Sequence, residues 1–230
     1  MKVNSDNKRS IDLDHVDPED IGEVLIKIEQ SFNINLEDTS LKEVKTFGKL
    51  CDVVIDKVKK TNTDSCTTQQ AFYKLRHAIT ESTGFDKERI KPQTRLSELF
   101  PRDSRIEAIS GIEEEMGFQL NLLKPKQWVV TLFVLVIIGS IITLFYNLSI
   151  GLSGLLIGIV GLRLAGRFGK EMSVKTIGDL AEKISREHYL KCRRDASTIN
   201  KNEVSQKIKQ LFVKDLELNT SRIEKQSTLF

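Results

Sequence analysis

The residues able to do chemistry are few and scattered. Cys51, Cys66 and Cys192 stand too far apart for a disulfide framework or a zinc-ligand spacing, which agrees with a reducing compartment. His15, His77 and His188 are equally isolated and read as ordinary surface or core histidines, so no metal is expected. No nucleophile and base share a catalytic spacing, and no glycine-rich phosphate loop is present; the chain reads as a non-enzyme without catalytic residues. Two helix starts carry the polar groups worth following. In Asp103-Ser104 the serine precedes a run with helical apolar spacing, where its hydroxyl serves as an N-cap. In Asp17-Pro18-Glu19-Asp20, with Glu23 one turn on, Asp17 caps, Pro18 suits the first helical position and the acids complement the helix dipole.

Helices must position these groups. After Asp17 an apolar stripe of Ile21, Val24, Leu25, Ile28 and Phe32 predicts one helix, and Thr46 caps another with Phe47, Leu50, Cys51, Val54 and Val58 facing inward. Asn62 to Thr68 reads as a polar linker. The next helix, about Thr68 to Ser82, carries Phe72, Leu75, Ala78 and Ile79 and ends at Gly84. A long loop anchored by Phe85, Ile90 and Leu96 leads to a helix with Ile106, Ile109, Ile112 and Met116 inside. Thr176 caps a helix of Ile177, Leu180, Ala181 and Ile184, and the last stripe is Val204, Ile208, Leu211 and Phe212. Between them, Tyr189 to Asn202 reads as a linker, with Lys191, Arg193 and Arg194 solvating it.

One stretch is of another kind. Trp128 to Leu162 is 35 residues without a charge. A single helix of that length would rise about 52 Å, well beyond a hydrocarbon core of ~30 Å, so two spans are expected, broken at Tyr146-Asn147-Leu148-Ser149. The second span, from Ile150 into Leu164 to Phe168, is short and needs Arg163 to snorkel. Gly151, Gly154, Gly158 and Gly161 recur at three- and four-residue spacing, which suits close packing of two helices in lipid, with Gly139 and Ser140 in the first span. Lys124 and Lys126 precede the stretch and Arg163, Arg167 and Lys170 close it, so both termini are expected in the cytoplasm. Neither span has a polar stripe, which argues against a pore.

Fragments of the soluble sequence repeat. Val44-Lys45-Thr46-Phe47-Gly48-Lys49-Leu50 recurs as Val174-Lys175-Thr176-Ile177-Gly178-Asp179-Leu180, five of seven identical. Ile28-Glu29 to Leu36 recurs as Ile112-Glu113 to Leu120, and Arg89-Ile90, Gln93 and Leu96 as Arg222-Ile223, Gln226 and Leu229. Eight positions separate Leu36 from Val44, but 54 separate Leu120 from Val174, and the hairpin lies among them. It is therefore an insertion within a small helical unit.

A capped helix ending in a Phe-Gly-Ile-x-Ile-like exit, a short third helix and a fourth opened by Thr-x-Gly-x-Leu together resemble the acyl carrier protein superfamily. Glu113-Glu114-Glu115-Met116-Gly117-Phe118-Gln119-Leu120 is the most carrier-like run. The fold class expected is all-α: acyl-carrier-like small helical bundles, one split around a two-helix transmembrane hairpin. The units are 12–60, lacking its first helix; 68–123 plus 173–190; the hairpin 128–168; and 203–230, which supplies the missing first helix to 12–60. Exchange of that segment between two chains would make a homodimer.

The resemblance implies a serine at the second-helix start carrying 4'-phosphopantetheine. Counting back from Phe32 puts Pro18 there, and from Met116 it puts Arg102; Ser104 lies two residues late and is followed by Arg105. The first expectation is accordingly a membrane-anchored binding or scaffold protein with no cofactor. The alternative is a working carrier loaded on Ser104, serving membrane-associated lipid metabolism. The resemblance also implies that Asp17, Glu19, Asp20 and Glu23 dock a cytoplasmic enzyme with a basic patch. The bilayer is the other partner, and no nucleic acid is expected.

Overall fold

The computed structural model describes residues 16–218 and 223–229. Residues 12–15 of the first unit, with His15, and Arg222 and Phe230 of the C-terminal segment fall outside them. The chain is mostly helical, so the all-α class holds. Its elements run α1 (Pro18–Phe32), α2 (Asp38–Leu41), α3 (Phe47–Val58), β1 (Thr61–Asn62), α4 (Thr67–Thr83), α5 (Leu96–Leu99) and α6 (Arg105–Met116). There follow β2 (Leu123–Lys124), α7 (Gln127–Leu144), α8 (Leu148–Arg167), β3 (Glu171–Met172), α9 (Ile177–Glu187), α10 (Tyr189–Cys192), β4 (Thr198–Ile199) and α11 (Lys201–Asp215). The strands only pin chain crossings: β1 runs parallel to β4, and β2 antiparallel to β3 with Leu123 opposite Met172.

Two compact units divide the chain, residues 1–74 with 181–230 and residues 75–180. The divisions fall inside α4, after Lys74, and inside α9, after Leu180, and not at linkers.

The first unit is built on amphipathic helices whose apolar stripes meet. Ile21, Val24, Ile28 and Phe32 of α1, Phe47, Leu50 and Val54 of α3, and Val204, Ile208, Leu211 and Phe212 of α11 belong to one buried cluster. The Phe47 and Phe212 rings meet edge to face with centroids 5.8 Å apart. α1 is capped by Asp17, whose carboxylate accepts from the Glu19 amide at 3.0 Å, and α3 by Thr46, which accepts from the Lys49 amide at 3.3 Å. The C-terminal segment continues past α11 onto α3: the Phe47 amide donates to the Ser227 carbonyl, the Gly48 amide to that of Lys225, and the Leu229 amide to that of Lys45. A β carbon at Gly48 would stand 2.8 Å from the Lys225 carbonyl oxygen, so only glycine allows this closeness.

In the second unit α4 ends at Gly84, which takes φ +71°. Leu75, Ala78 and Ile79 are buried there, while on the part of α4 that belongs to the first unit Thr67 and Ala71 are buried and Phe72 is only half-buried. In the following loop Ile90 and Leu96 are buried and Phe85 half-buried. Ile109 and Ile112 of α6 are buried, whereas Ile106 and Met116 are half-buried. The loop docks onto the start of α9 through three backbone bonds, from the Ile177 amide to the Thr94 carbonyl, from Gly178 to Pro92, and from Leu96 to Lys175. Thr176 and Asp179 cap α9 reciprocally, each side chain accepting from the other's amide.

Candidate functional site

The α7/α8 pair is the most distinctive surface of the second unit. Both helices are long and apolar enough to cross a membrane, at 18 and 20 residues with mean hydropathies of 2.3 and 1.9. α8 is longer than expected because Asn147, not Ser149, ends the turn: its side chain accepts from the Ile150 amide at 3.2 Å, so the helix opens at Leu148. Twenty residues rise about 30 Å, which removes the shortfall in the second span. The two helices pack through small residues. β carbons added at Gly151, Gly154, Gly158 and Gly161 would collide with Leu144, Ser140, Ile137 and Phe133 in turn, an antiparallel stripe along α7. Gly139 faces no such neighbour. The hydroxyls of Thr131, Ser140, Thr143 and Ser153 all donate to carbonyls one turn back in their own helix, so they carry no unmet bond into an apolar medium.

Ser104 stands at the N-cap position of α6 but does not cap with its side chain. Its ψ of 2° departs from the extended backbone of a capping residue, so the expected N-cap bond is replaced by an exposed hydroxyl. Next to it, Arg105 is buried, its Nε donating to the Phe100 carbonyl at 3.0 Å and its Nη1 to that of Lys170. Arg102 is exposed and paired with Glu171 at 2.9 Å. In the first unit Asp17, Glu19, Asp20 and Glu23 are all exposed on α1, with Asp17 occupied as its cap.

The structure also holds a buried polar cluster that sequence reasoning assigned to a solvated linker. Tyr189 and Arg193 are 0% and 2% exposed. The Arg193 guanidinium donates to the hydroxyls of Thr63 (2.8 Å), Ser65 (2.7 Å), Thr67 (2.9 Å) and Thr198 (2.9 Å). Of the three basic residues Lys191, Arg193 and Arg194, the first and last remain exposed. The missed signal is the alternation Thr61, Thr63, Ser65, Thr67, which on an extended chain brings hydroxyls to one side. One turn along α11 from Glu203, Lys207 is 3% exposed and donates to Thr68 and Ser185, both at 2.8 Å; burial pushes its ammonium below the usual lysine range. Burial likewise pushes the Cys51 thiol up to about 11 and Cys192 up to about 12, which makes both inert at neutral pH, whereas Cys66 is exposed.

Among the described residues, no group of three or more His, Cys, Asp or Glu side chains is placed to hold a metal ion. No protein-family model, curated protein or solved structure matches the chain.

Proposed function

We propose that the chain is a membrane-anchored, non-enzymatic scaffold in which the α7/α8 hairpin holds two acyl-carrier-like helical units at the cytoplasmic face of a bilayer. The observation that carries this is a matched closure in the two units. Phe47 to Ser227, Gly48 to Lys225 and Leu229 to Lys45 correspond to Ile177 to Thr94, Gly178 to Pro92 and Leu96 to Lys175. The helix exits match as well: Glu29 accepts from the Leu36 amide at 2.5 Å, and Glu113 from that of Leu120 at 2.6 Å. Such agreement supports an internal repeat, with α11 as the first helix of a unit whose remaining helices are α1, α2 and α3. The exposed acids of α1 are then the face offered to a partner enzyme with a basic patch. Charges confined to the outer ends of the hairpin favour cytoplasmic termini.

Loading is the competing chemistry. Ser104 suits 4'-phosphopantetheine in having an exposed hydroxyl at the start of a 12-residue helix. Its register does not suit it. With Leu36 aligned to Leu120, Ser104 falls opposite Asp20 and Arg102 opposite Pro18, so neither unit has a hydroxyl at the position the family uses. Coexpression with a broad-specificity phosphopantetheinyl transferase, followed by alkaline extraction of membranes and intact-mass measurement, tests both parts. The protein is expected to stay in the membrane pellet at its unmodified mass. Release by alkali contradicts the anchor, and a mass gain of one prosthetic group that Ser104→Ala abolishes replaces the scaffold by a carrier.

A further inference from the structure

At the base of the hairpin, where α7 begins and α8 ends, lies a cavity of about 250 Å³. Its cationic lining is Arg102, Lys126 and Lys170, and its apolar lining includes Val129, Ala165 and Phe168. We propose that this cavity binds the headgroup of an anionic phospholipid, an inference that rests on the membrane reading of the hairpin.

Three features support it. The first is unspent charge. Arg102 is neutralised by Glu171, but among the described residues Lys126 and Lys170 have no carboxylate within ion-pair distance. Lys126 also occupies the N-cap of α7, where it offers no acceptor, so an 18-residue helix begins beside the cavity without a side-chain cap.

The second is that the site is built and held. Arg105, 8% exposed, ties the Lys170 carbonyl to α6. β2 and β3 clamp the two ends of the insertion together. A β carbon at Gly169 would lie 2.5 Å from the Lys124 carbonyl carbon, so the chain after α8 passes directly against the chain before α7.

The third is the continuity of the apolar wall with the exposed faces of the spans. Phe168 is 65% exposed and Trp128, at the opening of α7, 64%. Aromatic side chains at this level occupy the headgroup region of a bilayer, which sets the cavity at the height of lipid phosphates. A soluble phosphate would gain from the lysines but not from Val129, Ala165 and Phe168. A diacyl lipid uses both, with its phosphate between Lys126 and Lys170 and its chains along the hairpin.

The test uses the full chain purified in mild detergent, with lipid retention read by native mass spectrometry. Palmitoyl-oleoyl phosphatidylglycerol is compared with the matching phosphatidylcholine, with and without millimolar inorganic phosphate. One phosphatidylglycerol per chain is expected to be retained in preference to phosphatidylcholine and not displaced by phosphate. Each basic side chain near an anionic headgroup contributes roughly fivefold, so Lys126→Gln with Lys170→Gln lowers the preference by about 30-fold. Arg163→Gln with Arg167→Gln, at the same end but outside the cavity, leaves it within about twofold, the loss expected of charges that do not touch the headgroup. Unchanged retention in the Lys126/Lys170 variant, an equal loss in the Arg163/Arg167 variant, or displacement by inorganic phosphate would overturn the proposal. Alkaline extraction of the membranes, before detergent is added, separates the two failures: protein that stays in the membrane but shows no lipid preference removes the site alone, while protein released by alkali removes the anchor.

Discussion

The two units close in the same way with opposite chain economics. In the second, the loop that docks on α9 follows directly from α4, and the interruption comes later, where α7 and α8 separate the α6 exit from Val174. In the first, the exit from α1 reaches α3 through the short α2, but the docking segment Lys225 to Leu229 comes from the far end of the sequence. One set of backbone bonds thus tolerates both a long insertion and a reversed order of halves. The physical reason is that loop-closure entropy grows only logarithmically with length, so a few well-formed bonds and a shared core suffice. β2 paired with β3 makes the hairpin nearly a closed loop, so the second unit meets only a short gap.

The sharpest break in this comparison is to remove the distant piece. Deleting residues 203–230 uncovers the faces of α1 and α3 that Val204, Ile208, Leu211 and Phe212 cover. At ~1.5 to 3 kcal/mol for each large apolar side chain the loss is on the order of 6 kcal/mol or more, comparable with the whole stability of a small domain. Hydrogen exchange should then show α1 and α3 amides unprotected while α6 keeps its protection. Protection of α1 equal to that of the intact chain would mean that α11 is dispensable.

A smaller effect compares the two closures directly. Gly48→Ala forces a β carbon to 2.8 Å from the Lys225 carbonyl, and Gly178→Ala to 3.0 Å from that of Pro92. Because backbone cannot swing aside as a side chain can, each should cost about 1 to 3 kcal/mol, with Gly48 the larger. Denaturant titration of the two variants ranks them, and a neutral Gly48→Ala would show that the closure is slack.

Much of this organisation was legible in the sequence and some of it was not. Stripes at helical spacing, such as Ile21, Val24 and Ile28 or Val204, Ile208 and Leu211, face the core because a single helix imposes their geometry. Caps such as Asp17, Thr46 and Gly84 act on neighbours within four residues. Arg193 is the opposite case. Its acceptors come from Thr63, Ser65 and Thr67 on one side of the chain and Thr198 on the other, and no local rule marks the first arginine of Lys191-Cys192-Arg193-Arg194 as buried. At Ser104 the position was readable but the backbone angle that turns the hydroxyl away was not. The unit divisions inside α4 and α9 escaped for the same reason, since a helix read from its own stripe does not reveal that a division falls within it.

The smallest expected effect concerns the buried polar cluster that the first unit contains. Burial lowers the Lys207 pKa in the folded state relative to the ordinary 10.5. Between the lowered value and 10.5 the unfolded chain therefore binds more protons, and the contribution of Lys207 to stability rises with pH across that window. Lys207→Met removes this slope, and since Thr68 and Ser185 lie 3.1 Å apart they can bond each other in its absence. A change of only about 1 kcal/mol at neutral pH is expected, read by chemical denaturation from pH 7 to 10. A variant that keeps the wild-type slope would assign the pH dependence to another group.

The central claim, that a membrane hairpin presents cytoplasmic helical units, is tested most directly by thiol labelling. The native chain provides its own reporter, because Cys66 is exposed on the first unit while Cys51 and Cys192 are buried. In the Asn147→Cys variant, an impermeant maleimide added to sealed right-side-out vesicles should label residue 147 at once and Cys66 only after the membrane is opened. Labelling of Cys66 before permeabilisation, or of residue 147 only after it, would contradict the account.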